Sequence, residues 1–339
     1  MSKTFNKLVF IVGCPRSGTT KLAELLAHHP EILCVSETHF FNNNWGLDFL
    51  NSENIFHDLD LEKFHEALND FYEHYRIKDF INLNNLDSKR ISEIFKDNLS
   101  IEAKQKEGFN PKRSMFSAMI QACKERYPDK LVFCEKTPQH LLNIKEISQV
   151  FPHAKFILIT RDGRAVVNSL LKMPWRPAGL INNARFWRKY IHLGWQAEEY
   201  FVEKGSASNF TEIKFEDLIS NPVESLENLC NFIGINYSER MLDIHHSNSD
   251  EGQKVFADWE RQWKYKVNLD IDQSRSAAYL REMPEDEQLI LTHFLRDELN
   301  KLGYAVDTPN LKLEHRIFIL KSYIGLVKAR LLRFISADK

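Results

Sequence analysis

The chain of 339 residues lacks several features that would assign it to a large class of proteins. No apolar run approaches the ~18 residues that a membrane span requires, and the N-terminus leads straight into a strand candidate. The five cysteines are odd in number and scattered, and neither a paired cysteine motif nor a His-Glu-x-x-His motif indicates a metal site. We therefore expect buried free thiols, a cytoplasmic location and no catalytic metal.

The chain also carries little net charge. Its 45 basic and 47 acidic residues give a formal charge of −2, which argues against a general nucleic-acid-binding surface. Any strong anion site must therefore come from a few concentrated basic residues. Hydrophobic residues make up 43% of the chain and no low-complexity linker appears, so the chain can bury one large core or two modest ones. We expect a single α/β domain.

Short β-rich runs alternate with helical stretches along the chain. This alternation predicts an α/β fold, a three-layer sandwich with a central parallel sheet of about five strands. The strand candidates are residues 8–12, 32–35, 131–135, 155–160 and 211–215.

Between the second and third strand candidates, residues 42–128 show no strand pattern. Apolar residues recur there at helical spacing over residues 61–80 and 114–127. We predict a helical insertion that either shapes a binding site or forms a structural cap. Residues 182–204 are predicted to form one long helix whose aromatic face packs in the core.

We predict a separate C-terminal helical tail over residues 306–339, beyond the domain of residues 1–305. Apolar residues recur in this tail at helical spacing; these are Ile317, Leu320, Ile324, Val327, Leu331 and Ile335. Basic residues lie on the other faces of the predicted helix. The plainer interpretations of such a helix are packing against its own domain or against a second subunit in a homodimer. Peripheral contact with a membrane surface is the alternative.

The most informative segment is the glycine loop after the first strand candidate. Gly13 and Gly18 keep the spacing of a nucleoside triphosphate P-loop, but Thr19 stands where that loop has lysine. In such a loop, backbone N–H groups and the start of the following helix still point at an anion. The sequence therefore predicts a phosphate site, with Arg16 supplying the nearby positive charge.

Charged residues directly follow four of the strand candidates; they are Arg16, Glu37, Lys136 and Arg161. Ligands of open parallel sheets bind beyond the carboxyl ends of the strands, so we expect these side chains to line one site. If the chain stays extended after the second strand, Glu37 and His39 lie on one face. Each of these residues also has an interpretation without a role in a site. Glu37 would then be an exposed carboxylate, and Arg161 would form a local ion pair with Asp162.

Four segments together resemble motifs of the sulfotransferases that use 3′-phosphoadenosine 5′-phosphosulfate (PAPS) as sulfuryl donor. They are residues 15–20 (PRSGTT), 37–41 (ETHFF), 135–138 (EKTP) and 161–169 (RDGRAVVNS). The resemblance spans residues 8–304 and implies a P-loop-like fold, with residues 1–305 as the sulfotransferase domain. One family element, a C-terminal Arg-Lys-Gly donor clamp, has no clear equivalent here. Residues 259–266 are rich enough in arginine, lysine and tryptophan to replace it.

The resemblance implies a role for each motif. The residues that would hold the donor are Arg16, Ser17, Gly18, Thr19 and Thr20 at the 5′-phosphosulfate, and Arg161 and Ser169 at the 3′-phosphate. Glu37 corresponds to the catalytic base, with His39 as its orienter or as a reserve base. Arg16 and Lys136 would stabilise the leaving nucleotide, adenosine 3′,5′-bisphosphate (PAP).

We therefore predict a sulfotransferase that moves a sulfuryl group from PAPS to an acceptor hydroxyl by in-line displacement. The Glu-x-His-Phe-Phe element favours a carbohydrate (glycan) acceptor, whereas several aromatic residues suit a small aryl or lipid alcohol; these are Phe40, Phe41, Trp45, Trp175 and Trp187. Two alternatives remain. One is a P-loop-like nucleotide kinase or hydrolase, disfavoured by Thr19, and the other is a non-catalytic nucleotide-binding protein.

Overall fold

Five parallel strands lie at the centre of the part of the chain that the structure describes. The computed structural model describes residues 4–43, 45–47, 50, 61–105, 109–176, 178–243, 255–264, 273–306 and 310–322. The strands are β1 (Lys7–Gly13), β2 (Ile32–Val35), β3 (Val132–Lys136), β4 (Lys155–Thr160) and β5 (Phe210–Lys214). Their order in the sheet is β2-β3-β1-β4-β5, and every neighbouring pair is parallel. The predicted α/β fold with a parallel sheet is confirmed.

Helices cover both faces of this sheet. The α-helices are α1 (Thr19–Ala27), α2 (Leu61–Glu73), α3 (Tyr75–Leu83), α4 (Ser88–Gln105), α5 (Pro111–Arg126), α6 (Ile144–Val150), α7 (Gly163–Leu171), α8 (Leu180–Glu203), α9 (Phe215–Ser220), α10 (Pro222–Ile233), α11 (Arg261–Lys264), α12 (Tyr279–Glu282), α13 (Glu285–Phe294) and α14 (Arg296–Lys301). Short 3₁₀ turns flank the sheet at Phe40–Asn42, Pro138–Asn143 and Asp258–Glu260. Among the described helices, none combines the length and the apolar character needed to cross a bilayer.

Two hydrophobic cores lie on opposite faces of the sheet, because side chains of a strand alternate between its faces. Phe10 and Val12 of β1 belong to one core, and Val9 and Ile11 belong to the other. The aromatic face of α8 packs in the first core, as predicted for residues 182–204.

Helices α2 to α5 lie between β2 and β3, in the segment predicted as a helical insertion. The helical spacing over residues 61–80 corresponds to two helices, α2 and α3, because the chain breaks between them at His74. His74 leaves the helical conformation, and its Nδ1 accepts a hydrogen bond from the backbone N–H of Arg76 at 3.3 Å. Histidine is not one of the strong N-cap residues, so no local sequence pattern marks this break.

Residues 313–322 of the tail are helical. His315 is buried and Ile319 packs against the first core, but Ile317 and Leu320 of the predicted apolar stripe are exposed. The expectation that this stripe packs against its own domain is therefore wrong for these two residues. The other stripe residues, Ile324, Val327, Leu331 and Ile335, lie outside the described residues.

Candidate active site

The glycine loop joins the end of β1 to the start of α1. Gly13 has φ +149°, and a Cβ there would lie 2.5 Å from the carbonyl oxygen of Ile159 on β4. Gly18 has φ +104°, and a Cβ there would lie 2.3 Å from the ring of Phe215. Both positions therefore require glycine. Arg16 lies between them at φ 76°, a conformation that non-glycine residues rarely adopt, which projects its side chain from a sharply turned loop.

The loop leaves hydrogen-bonding groups ready for an anion. Glycine at the N-cap of α1 offers no side-chain acceptor for the first N–H groups of the helix, at Thr19 and Thr20. The hydroxyl oxygen of Ser17 is buried and makes no hydrogen bond within the described part of the chain. A helix start of this kind binds phosphate and sulfate groups through its backbone and its dipole.

A basic cavity of about 530 Å³ lies beside this loop, on the side of α7 and α12. Five basic residues and one acidic residue line it; they are Arg16, Arg161, Lys172, Arg275, Arg281 and Glu282. Ser169 and the aromatic rings of Phe215 and Tyr279 also line it. This donor-side cavity combines positive charge with apolar surfaces, as a nucleotide with several phosphates requires.

Arg16, Arg161 and Ser169 meet at the donor-side cavity. Arg16 Nε donates to Ser169 Oγ at 2.9 Å, and Arg161 donates to the carbonyl oxygen of Arg16 at 3.3 Å and to that of Arg275 at 2.7 Å. Arg161 Nε is buried and makes no hydrogen bond among the described residues. The local ion pair considered for Arg161 is not formed, because Asp162 instead binds Arg164 at 2.7 Å and caps α7.

Burial and neighbouring positive charge disfavour the charged forms of Arg16 and Arg161 in this cavity. Burial, reinforced by the charge of Arg161, lowers the pKa of Arg16 to about 10. Burial also lowers the pKa of Arg161, with Arg275 adding to the effect against the attraction of Glu216. Two neighbouring cations partly removed from water favour the binding of a multiply charged anion.

A second cavity of about 310 Å³ lies on the other side of Arg16, and Arg16 lines both. Its walls include three aromatic side chains, Tyr75, Trp175 and Trp259, while Glu37, His39 and Arg76 supply its charged or titratable groups. Of the aromatic residues proposed from the sequence for the acceptor, only Trp175 lines this acceptor-side cavity. The others are buried in the first core; they are Phe40, Phe41, Trp45 and Trp187.

The carboxylate of Glu37 is held by side chains that include Lys136, His39 and Arg76. Lys136 Nζ lies 2.6 Å from Glu37 Oε1, whereas His39 Nε2 and an Arg76 nitrogen lie 3.3 Å and 3.5 Å from Glu37 Oε2. Lys136 is fully buried and is not among the lining residues of either cavity. The structure therefore brings Lys136 to the carboxylate of Glu37, and leaves Oε2 beside two residues that face the acceptor-side cavity.

Glu135, which precedes Lys136, fixes the loop that carries Glu37 and His39. Its carboxylate accepts hydrogen bonds from the backbone N–H and the hydroxyl of Thr38, from the hydroxyl of Thr137 at 2.5 Å, and from His140 Nδ1 at 2.9 Å. Burial alone would raise the pKa of Glu135, but His140 and these hydrogen bonds outweigh it and hold the pKa below its ordinary value of 4.5. The Glu-Lys-Thr-Pro motif thus holds in place the loop that carries Glu37 and His39.

Arg76 is a site residue that the sequence did not reveal. It comes from α3 in the helical insertion, and it binds Glu260 at 3.0 Å as well as Glu37. Its guanidinium also lies 5.2 Å and 5.0 Å from the ring centres of Tyr75 and Trp259. Burial opposes the charge of Arg76, but Glu37 and Glu260 together raise its pKa above the ordinary value. No motif surrounds Arg76, so only the folded insertion shows its place.

Comparisons with known proteins agree with this geometry. The family model described as "Sulfotransferase family" matches residues 9–239. A putative protein-tyrosine sulfotransferase of Caenorhabditis briggsae is 25% identical over 252 residues, which cover 72% of this chain and 71% of that protein. Protein-tyrosine sulfotransferase 2 of Gallus gallus is 27% identical over 302 residues, which cover 88% of this chain and 69% of that protein.

The fold is also found among solved structures. The sulfotransferase domain of the olefin synthase of Synechococcus PCC 7002 superposes with a TM-score of 0.56 at 21% identity, covering 91% of this chain and 98% of that domain. The matched family model covers well over half of the chain, and the sequence motifs lie at two adjoining cavities. The chain therefore belongs to the sulfotransferase family, as a PAPS-dependent sulfotransferase.

Proposed function

We propose that this sulfotransferase transfers the sulfuryl group of PAPS to the phenolic hydroxyl of a tyrosine in a peptide or protein. The observation that carries the proposal is an aromatic-walled cavity of about 310 Å³ that contains Glu37 and shares Arg16 with the basic cavity. A phenol ring stacks on aromatic walls and needs few polar partners. The relatives that are named protein-tyrosine sulfotransferases support this acceptor over the carbohydrate favoured by the sequence.

The donor-side residues fit PAPS by their chemistry. The N–H groups at the start of α1 and the Ser17 hydroxyl, which has no hydrogen-bond partner among the described residues, suit the 5′-phosphosulfate. Arg161 Nε and Ser169 suit the 3′-phosphate. When bound, PAPS supplies the sulfuryl group and a nucleotide as leaving group.

In the transfer step, the acceptor oxygen forms a bond to sulfur as the bond from sulfur to the nucleotide phosphate oxygen breaks. Glu37 Oε2 accepts the proton of the hydroxyl, because Lys136 holds Oε1 at 2.6 Å, whereas the contacts of Oε2 with His39 and Arg76 are longer, at 3.3 Å and 3.5 Å, and lie beside the acceptor-side cavity. The negative charge that develops on the leaving nucleotide is stabilised by Arg16 and the α1 N–H groups, which are in place before the reaction. His39 orients Glu37 through its 3.3 Å contact with Oε2.

Direct assay with radiolabelled PAPS tests the acceptor. A peptide with one tyrosine is compared with the same peptide carrying phenylalanine or serine there, and with a neutral oligosaccharide. We expect label on the tyrosine peptide alone. Label on the oligosaccharide or the serine peptide would overturn the phenol acceptor, and binding of PAPS without transfer to any of them would restore the non-catalytic alternative.

We also propose, from the sequence, that the enzyme is cytoplasmic. Fractionation of cells that produce this chain tests the location. Recovery from a compartment outside the cytoplasm would contradict it.

A further inference from the structure

The tail helix of residues 313–322 carries a cluster of exposed apolar side chains. Leu313, Ile317, Phe318 and Leu320 are 73%, 42%, 44% and 60% exposed. The other exposed large hydrophobic residues of the described chain are spread between residues 75 and 280, and no other four lie within eight residues. Single exposed apolar residues are normal, whereas a cluster indicates a surface that binds a partner.

The helix is fixed to the domain by its opposite face. His315 is buried with its Nε2 3.2 Å from Asp286 Oδ1, and Ile319 packs against the first core. At ~100° per residue, Leu313, Ile317 and Leu320 fall within a sector of about 60° on the side away from these anchors. The apolar face therefore points outward because of how the helix is attached.

Charge is distributed unequally between the tail and the rest of the chain. Residues 311–339 contain seven basic and two acidic residues, a formal charge of +5, while residues 1–310 contain 38 basic and 45 acidic residues, a charge of −7. On the helix itself, Arg316 and Lys321 flank the apolar face on its two sides. An apolar face bordered by basic residues is complementary to a surface with an apolar interior and anionic headgroups.

We propose that the exposed apolar face of the tail helix binds the surface of an anionic lipid bilayer. A second copy of the chain fits less well for two reasons. The described surface offers no other cluster of exposed large hydrophobic residues to receive this face. Pairing of two such faces would bring together two tails of charge +5.

Cosedimentation of the full chain with lipid vesicles tests the surface. Vesicles of phosphatidylcholine alone are compared with vesicles in which one quarter of the lipid is phosphatidylglycerol. We expect binding to the anionic vesicles only. The double variant Ile317→Asp with Leu320→Asp should abolish it, whereas Ile101→Asp with Val202→Asp, which places the same charges at exposed apolar positions of α4 and α8, should not.

Charge is tested separately with Arg316→Gln and Lys321→Gln, for which Lys189→Gln on α8 and Lys204→Gln directly after α8 are matched controls. Affinity for anionic vesicles should fall roughly fivefold for each tail charge removed. Retained sulfuryl transfer and an unchanged melting temperature show that each variant is folded. Three results would overturn the proposal: no vesicle binding, equal loss in the controls, or a lipid-free dimer in sedimentation velocity that Leu320→Asp disrupts.

Discussion

At the residue scale, Arg161 is the side chain that best separates recognition of the donor from general stability. It lines the basic cavity and has a buried nitrogen without a hydrogen-bond partner among the described residues. A charge-assisted contact contributes about 1.5–3 kcal/mol, so Arg161→Ala should weaken PAP binding by at least about tenfold. Calorimetry with PAP and with adenosine 5′-phosphosulfate measures this. Equal weakening of the two nucleotides would show that Arg161 does not bind the 3′-phosphate.

Arg76 and Glu260 should behave as one energetic unit. Their ion pair at 3.0 Å is almost buried and connects α3 to the 3₁₀ turn at Asp258–Glu260. Removing one partner leaves a buried charge, so Arg76→Met and Glu260→Gln should each lower the free energy of unfolding. Since they share the interaction, the double variant should lose less than the sum, with a coupling of about 1–3 kcal/mol. Urea unfolding of the four proteins measures it, and additive losses would contradict the pairing.

At the element scale, the positions of the strands along the chain follow from the sequence, but the details of the insertion do not. Strand candidates were visible because β1, β3 and β4 are apolar runs buried on both faces, and the charged residues after them necessarily share one edge of the sheet. The break at His74 uses an uncommon cap, and Arg76 joins Glu37 only through packing of α3. Long-range packing of this kind leaves no local pattern.

The aromatic residues show the same limit. Residue type alone cannot separate a ring that lines a cavity from one that fills a core, and Phe40 and Trp187 are core residues while Trp175 faces the acceptor-side cavity. The four motifs could be placed because each follows the end of a strand. The ring centres of Tyr75 and Trp259, by contrast, lie 5.9 Å apart only because folding brings α3 and the Asp258–Glu260 turn together.

The network around Glu135 should make the connection between β2 and β3 sensitive to acid. The folded-state pKa of Glu135 is lowered, so its contribution to stability is present above pH 4.5 and is lost as the pH falls. Glu135→Gln lacks this titration. In urea unfolding, the free energy of unfolding of the wild type should clearly exceed that of the variant at pH 7. The difference between the two free energies should shrink toward pH 3.5. A difference that stays constant over this range would contradict the ionised network.

At the scale of the whole molecule, two cavities joined at Arg16 define one folded unit that a nucleotide should stabilise. A ligand at 100 times its dissociation constant adds about 2.7 kcal/mol to the free energy of unfolding. Because Thr19 replaces the P-loop lysine, we expect PAP to raise the melting temperature in the presence of EDTA, and ATP to raise it much less. Thermal unfolding with each nucleotide tests this. Greater stabilisation by ATP, or a need for magnesium, would favour the kinase alternative.

The central claim is that Glu37 removes the proton from the acceptor while the surrounding residues hold the donor. Glu37→Gln keeps the shape of the side chain and removes its ability to accept that proton. Single-turnover transfer from radiolabelled PAPS to the tyrosine peptide should therefore fall by about 10²–10⁴-fold, with unchanged affinity for PAP. His39→Ala should lower the rate of transfer by a smaller factor. Near-native transfer by Glu37→Gln would place the base elsewhere, and loss of PAP binding would show that Glu37 maintains the cavity instead of moving a proton.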